Sequence, residues 1–169
     1  GFRGVIYSTP PTKDFAQFML ADSDHILAEA AKRFKKPILY NEADINQLLS
    51  QWQTVDYHQE VTHGPFKAIF HNAGHILGSA FIVIEALAEI SGQVERIVFS
   101  GDLGNAPAPI IGSWEIFEGG ATYCLVESTY GDRLHEQLQQ RKDILEDLIE
   151  DTVKKKGVLM IPAFAMERT

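Results

Sequence analysis

Two short polar turns hold the side chains of this chain that are best suited to metal chemistry. One reads AGHILGSA over residues 73–80 and contains His75; the other reads SGDLG over residues 100–104 and contains Asp102. Zinc takes imidazole nitrogen and carboxylate oxygen as donors, and a carboxylate can bridge two ions where an imidazole serves one. Glycines flank both residues, Gly74 and Gly78 in the first turn and Gly101 and Gly104 in the second. They permit tight turns and the close approach of another group. Residues 81–86 form an apolar run after the first turn, and residues 96–99 form another before the second. Strands over these runs, separated at Ser91-Gly92, would bring both turns to one end of a sheet, where loops on a rigid scaffold carry chemistry. Either motif alone favours the bland reading, a core histidine or a capping aspartate. The pair joined by strands is what favours a site.

A third candidate is Glu127. It follows the apolar strand expected over residues 121–126 and opens the polar turn ESTYGD. A carboxylate at the end of a buried strand is costly without a partner. The bland alternative is a carboxylate that takes hydrogen bonds from its own loop. His25, His58, His63 and His71 stand in no ligand-spaced pattern and fit surface or packing roles, although His71 draws notice by its closeness to His75.

The elements that must position these residues follow from periodicity and punctuation. A strand over residues 2–7 ends at Ser8-Thr9-Pro10-Pro11. Thr12 is the expected N-cap of a helix reaching about residue 35, with Phe15, Phe18, Met19, Ile26, Leu27 and Phe34 on its apolar stripe. That helix is expected to pack on the sheet formed by residues 70–99, whose central strand is apolar on both faces and so reads as covered on both sides. Asn41 caps a short helix with Ile45, Leu48 and Leu49 inward. Strands over 55–61 and 66–70 flank the turn His63-Gly64-Pro65, and Trp114 and Phe117 are candidate lid residues. A long helix over 135–156 ends in Lys154, Lys155 and Lys156 with Gly157 as its stop, and a strand over 158–161 follows. The pattern is α/β.

The 169 residues are 45 % hydrophobic and 22 % charged, a globular composition. A net charge of -8 counts against a broad basic footprint for duplex nucleic acid, though metal ions can hold phosphate in an acidic pocket. The one cysteine, Cys124, lies in an apolar run and reads as a buried thiol, so nothing suggests disulfides or secretion, and a cytoplasmic location is expected. No apolar run has the length of a membrane span, so no membrane partner is expected. The chain opens without Met on a strand-like stretch and stops where a helix would begin, which suggests an internal piece of a longer protein.

AGHILGSA, FSGDLG, ESTYGDR and LMIPAFAMER, in this order, resemble the metallo-β-lactamase-fold RNA nucleases of the β-CASP branch. The resemblance covers essentially the whole chain, including GFRGVIYSTPPT at its start. It implies a four-layer αββα sandwich, of which residues 1–131 would be the middle portion, and an inserted α/β β-CASP domain beginning over 132–169. It also implies zinc-dependent hydrolysis of RNA phosphodiester bonds, endonucleolytic, 5′-exonucleolytic or both, by a hydroxide activated between two Zn2+ ions. His75 would ligate one zinc, Asp102 would bridge both, and Glu127 would open the β-CASP motifs at the site edge, making Asp102 and Glu127 the candidate catalytic residues. Ser79 and the amides of its turn are candidate supports for the ligands. The family's HxHxDH signature and its later histidines are absent from the chain and would lie outside it. The implied partner is single-stranded RNA, with room for a homodimer of the full-length protein. Two other readings stand beside this one: another hydrolase on the same sandwich, such as a DNA-processing nuclease or a thioesterase, and a scaffold homologue without metal.

Overall fold

The computed structural model describes residues 2–87, 92–105, 111–134, 138–164 and 166. The chain divides into two compact units, Gly1–Glu127 and Ser128–Thr169. The architecture is α/β.

In the first unit, β1 (Ile6–Ser8) pairs in parallel with β2 (Trp52–Thr54), and α1 (Pro10–Phe34) and α2 (Glu42–Ser50) lie between them in sequence. The helix α1 begins three residues earlier than expected. Pro10 and Pro11 occupy its first positions, where a missing N–H costs nothing, and Thr9 rather than Thr12 is the N-cap. The Thr9 hydroxyl does not cap its own helix; it donates to the Gly78 carbonyl at 2.6 Å and so ties the helix start to the AGHILGSA turn. The main neighbours of α1 are α2 and β2, not the larger sheet, and Phe18, Ile26 and Phe34 on its apolar stripe are exposed. Asn41 caps α2 as expected. Its side chain accepts from the Ala43 and Asp44 amides while Asp44 accepts from the Asn41 amide, a reciprocal pair that satisfies the helix start.

The second sheet has the order β3 (Glu60–His63), β4 (Phe66–Asn72), β5 (Ala80–Leu87), β6 (Val94–Phe99) and β7 (Tyr123–Leu125). The first four strands are antiparallel neighbours, and β7 runs parallel to β6. The pairing of β5 with β6 joins the two candidate turns as the apolar runs suggested. Its register sets Glu85 opposite Arg96, and the guanidinium donates to the carboxylate at 2.6 Å. Phe70, Ala73, Phe81 and Val83 form the core of this sheet. The alternate residues Ile82 and Ile84 are only half-buried, so the central strand is well covered on one face rather than on both.

Three further expectations are corrected. Residues 55–59 are loop rather than strand: the Val55 amide is taken by the Ser8 carbonyl, and His58 has a left-handed φ of 65°. Cys124 is exposed, because β7 is an edge strand with β6 on one side and its three residues are open. Residues 158–161 form no strand; no strand pairs with them among the described residues, and Val158 and Met160 are exposed.

In the second unit α3 (Leu138–Lys154) is the main element; residues 135–137, where the sequence places the helix start, lie outside the described set. Lys154 and Lys155 pair with Glu150 and Asp151 one turn back. The left-handed turn after the helix is made by Lys156, at φ 48°, just ahead of Gly157. Residues 167–169 also lie outside the described set.

Candidate functional site

The AGHILGSA turn leaves β4 and enters β5, and its conformation is fixed by Ser79. The Ser79 hydroxyl accepts from the His75 amide at 3.0 Å and from the Ile76 amide at 3.2 Å. Its carbonyl accepts from the Ala73 amide at 3.1 Å and from the Tyr57 hydroxyl at 2.9 Å. Tyr57 titrates above its ordinary value, first because burial disfavours the phenolate and second because the Glu115 carboxylate is near. Gly74 has φ +62° and its Cα faces the Trp114 backbone, so no side chain fits there.

The SGDLG turn leaves β6 and is held from two sides. Gly104 packs its Cα onto the backbone of Gly74, and a Cβ would overlap the Gly74 carbonyl. Its amide donates to the Ala73 carbonyl at 2.9 Å, so one backbone bond joins the two turns. On the other side, Glu127 accepts from the Leu103 amide at 3.2 Å, while its own amide donates to the Ser100 hydroxyl at 2.9 Å. Glu127 therefore takes a hydrogen bond from the loop that carries Asp102.

His75 and Asp102 converge. Nε2 of His75 lies 3.8 Å from Oδ2 of Asp102, with the two side chains 35 % and 76 % exposed. A zinc ion bonded to both would span up to about 4 Å between the donors, so one ion can touch both atoms, and N plus O is a donor set that zinc accepts. A cleft of about 430 Å³ opens beside the first turn, lined among others by Pro11, Tyr57, Ile76, Leu77 and Gly78.

No family model matches the chain. Over 170 residues the chain is 31 % identical to endoribonuclease YSH1 of Kluyveromyces lactis, an alignment covering 99 % of the chain and 22 % of that protein. Over 167 residues it is 30 % identical to cleavage and polyadenylation specificity factor subunit 3-I of Arabidopsis thaliana, covering 99 % of the chain and 23 % of that protein. A ribonuclease of Thermus thermophilus is 29 % identical over 168 residues, covering 99 % of the chain and 36 % of its relative. The chain is a homologue of the β-CASP metallo-β-lactamase nucleases. It spans between 22 % and 36 % of the length of these relatives.

Beyond the turns expected from the sequence, this homologue holds a second cluster that sequence reasoning missed. His58 Nε2 and His71 Nδ1 each lie 3.3 Å from Oε2 of Glu115. His58 and His71 read as surface or packing residues, and nothing in the sequence around Glu115 marks it as a ligand. The members come from a loop, a strand and a distant connecting segment, so no local spacing announces them.

Proposed function

We propose that this chain carries part of the metal site of a ribonuclease that hydrolyses phosphodiester bonds in single-stranded RNA, with an endonucleolytic mode. The observation that carries the reading is the convergence of His75 and Asp102 on two glycine turns, in a homologue of proteins named endoribonucleases. His75 and Asp102 would hold zinc, with a second ion and the remaining ligands involving segments outside residues 1–169. When bound, the metal would supply Lewis-acid stabilisation of the charge that develops on the phosphate oxygens. The sheet of the first unit would be part of the four-layer sandwich, and the second unit the start of the β-CASP insert.

The residues of the chain contribute orientation. Ser79 holds the turn under His75, which leaves the imidazole edge free to face Asp102. Glu127 acts through Leu103 as a positioning residue for the Asp102 loop. The high exposure of Asp102 leaves that edge of the site open to a phosphodiester.

The test is cleavage of end-labelled single-stranded RNA by the full-length protein, by its Asp102→Ala variant and by protein treated with chelator. Internal cuts by the parent are expected, with a loss on the order of a thousandfold in Asp102→Ala and restoration of the chelated parent by zinc. Full activity in Asp102→Ala would refute the metal assignment, and turnover of a thioester or a β-lactam without RNA cleavage would refute the substrate.

A further inference from the structure

We infer that His58, His71 and Glu115 form a second divalent-metal site of the zinc class, separate from His75 and Asp102, which clamps the Tyr57 loop onto the sheet. One potential ligand atom from each residue lies within 4.8 Å of the others. Both imidazole contacts to Glu115 Oε2 measure 3.3 Å. Donors bonded at about 2.0–2.2 Å to a tetrahedral ion lie about 3.3–3.5 Å apart, so these two edges already have the spacing that such an ion sets.

Each member is positioned by backbone. His71 projects from β4 opposite Phe81, and the two rings stack at 4.8 Å with 7° between their planes. His58 donates its amide to the Phe70 carbonyl at 2.9 Å, which sets its ring edge-on to His71 at 5.0 Å. Glu115 donates its amide to the Asn72 carbonyl at 2.9 Å. Phe117 meets the His71 ring edge-on at 5.6 Å. The site is thus dry around His71, 14 % exposed, and open at His58, 61 % exposed, where a fourth ligand from solvent has room.

Hydrogen bonding satisfies one edge of His71 at most, the Nδ1 edge that lies 3.3 Å from Glu115 Oε2. Nε2 of His71 is buried and has no hydrogen-bond partner among the described residues. A proton on Nδ1 would leave an orphaned lone pair at Nε2. A proton on Nε2 would instead set the Nδ1 lone pair against a carboxylate oxygen at 3.3 Å, two acceptors facing each other. A cation between Nδ1 and Oε2 turns that second state into a bonded one and neutralises Glu115, with the Nε2 proton still unpaired. It also matters for the first site, because the residue next to His58 is Tyr57, whose hydroxyl holds the Ser79 carbonyl under the His75 turn.

This inference does not depend on the ribonuclease reading, and its readout is metal rather than cleavage. The full-length protein carrying Asp102→Asn, to weaken the first site, would be stripped of metal, loaded with Co2+ and passed through a desalting column. Bound cobalt, its visible absorption and the melting temperature would then be recorded with and without His58→Asn or Glu115→Gln. His58→Asn is the safer variant, since Asn tolerates the left-handed backbone at this exposed position. The Asp102→Asn parent should retain cobalt with a d–d band and melt higher when loaded. Each added substitution should remove one equivalent, weaken cobalt binding about tenfold or more and abolish the rise in melting temperature. A parent that retains no cobalt, or folded His58→Asn and Glu115→Gln proteins that bind it as the parent does, would overturn the inference.

Discussion

Two histidine–carboxylate arrangements stand at the same sheet and are built in opposite ways. His75 and Asp102 sit on glycine turns, 3.8 Å apart, and Asp102 is 76 % exposed. His71 and Glu115 are 3.3 Å apart, with His71 on a strand among aromatic rings and shielded from water. The first pair contributes little to holding the fold, since an exposed ion pair is worth at most about 1 kcal/mol. The second is wrapped in apolar contacts that do hold the fold. On the readings proposed above, the contrast separates a place open to a substrate from a place that holds ligands of its own.

Substitution should separate the two arrangements cleanly. Asp102→Ala is expected to remove RNA cleavage by the full-length protein, on the order of a thousandfold, with little change in its urea midpoint. His71→Ala is expected to do the reverse. It deletes a ring stacked on Phe81 and edge-on to Phe117 and leaves a cavity, costing about 3 kcal/mol by urea unfolding. An equal loss of stability in Asp102→Ala would break the comparison.

The glycines give a second, smaller contrast. Gly104→Ala forces the two turns apart, because its Cβ would fall on the Gly74 carbonyl, and should cost about 2–3 kcal/mol. Gly64→Ala meets no atom within 4 Å and faces only the left-handed φ of +57°, so about 1 kcal/mol is expected. Equal midpoints for the two variants would show that the contact between the turns is not tight in solution.

These contrasts also explain what the sequence could reveal. The pairing of β5 with β6 was legible because two apolar runs flank a short polar gap, and the glycines around His75 and Asp102 marked turns that must pack closely. The same turns account for the convergence of those residues. The start of α1 was misplaced because Thr9 spends its hydroxyl on Gly78, a partner far along the chain, and not on its own helix. The apolar neighbours of Cys124 read as a buried run, but an edge strand can be apolar and still open. Glu115 was invisible: its amide is paired with Asn72 and its carboxylate with two histidines, all distant in sequence, and its own neighbours carry no periodic signal.

Glu127 sharpens the link between the Asp102 turn and the end of β7. Glu127→Ala removes the acceptor for the Leu103 amide and should cost about 1–2 kcal/mol. Glu127→Gln retains an oxygen in the same place and should recover most of that stability. If Glu127 acts by positioning, Gln should also recover most of the RNA cleavage lost in Ala. Recovery of stability without recovery of cleavage would point instead to a need for the negative charge itself.

The smallest expected effect is one of pH, and it concerns Tyr57, which reaches both arrangements. Its hydroxyl donates to the Ser79 carbonyl beneath His75, and its phenol lies in the field of Glu115. Burial first and the Glu115 charge second raise its folded pKa above the ordinary value of 10.0. Between the unfolded and the raised folded value the native state holds the proton and the unfolded state releases it. The unfolded state then binds fewer protons, so stability must fall as pH rises through that window. The Tyr57 contribution is fully present below pH 10.0 and is lost above it. Tyr57→Phe abolishes the titration together with the hydrogen bond. Its stability should be lower by about 1 kcal/mol at neutral pH, and the gap to the parent should narrow as the pH rises above the ordinary tyrosine range. Urea midpoints of both proteins at a series of alkaline pH values provide the measurement. Parallel curves would show that Tyr57 is not held as the structure has it, and would remove the proposed mechanical link between the two arrangements.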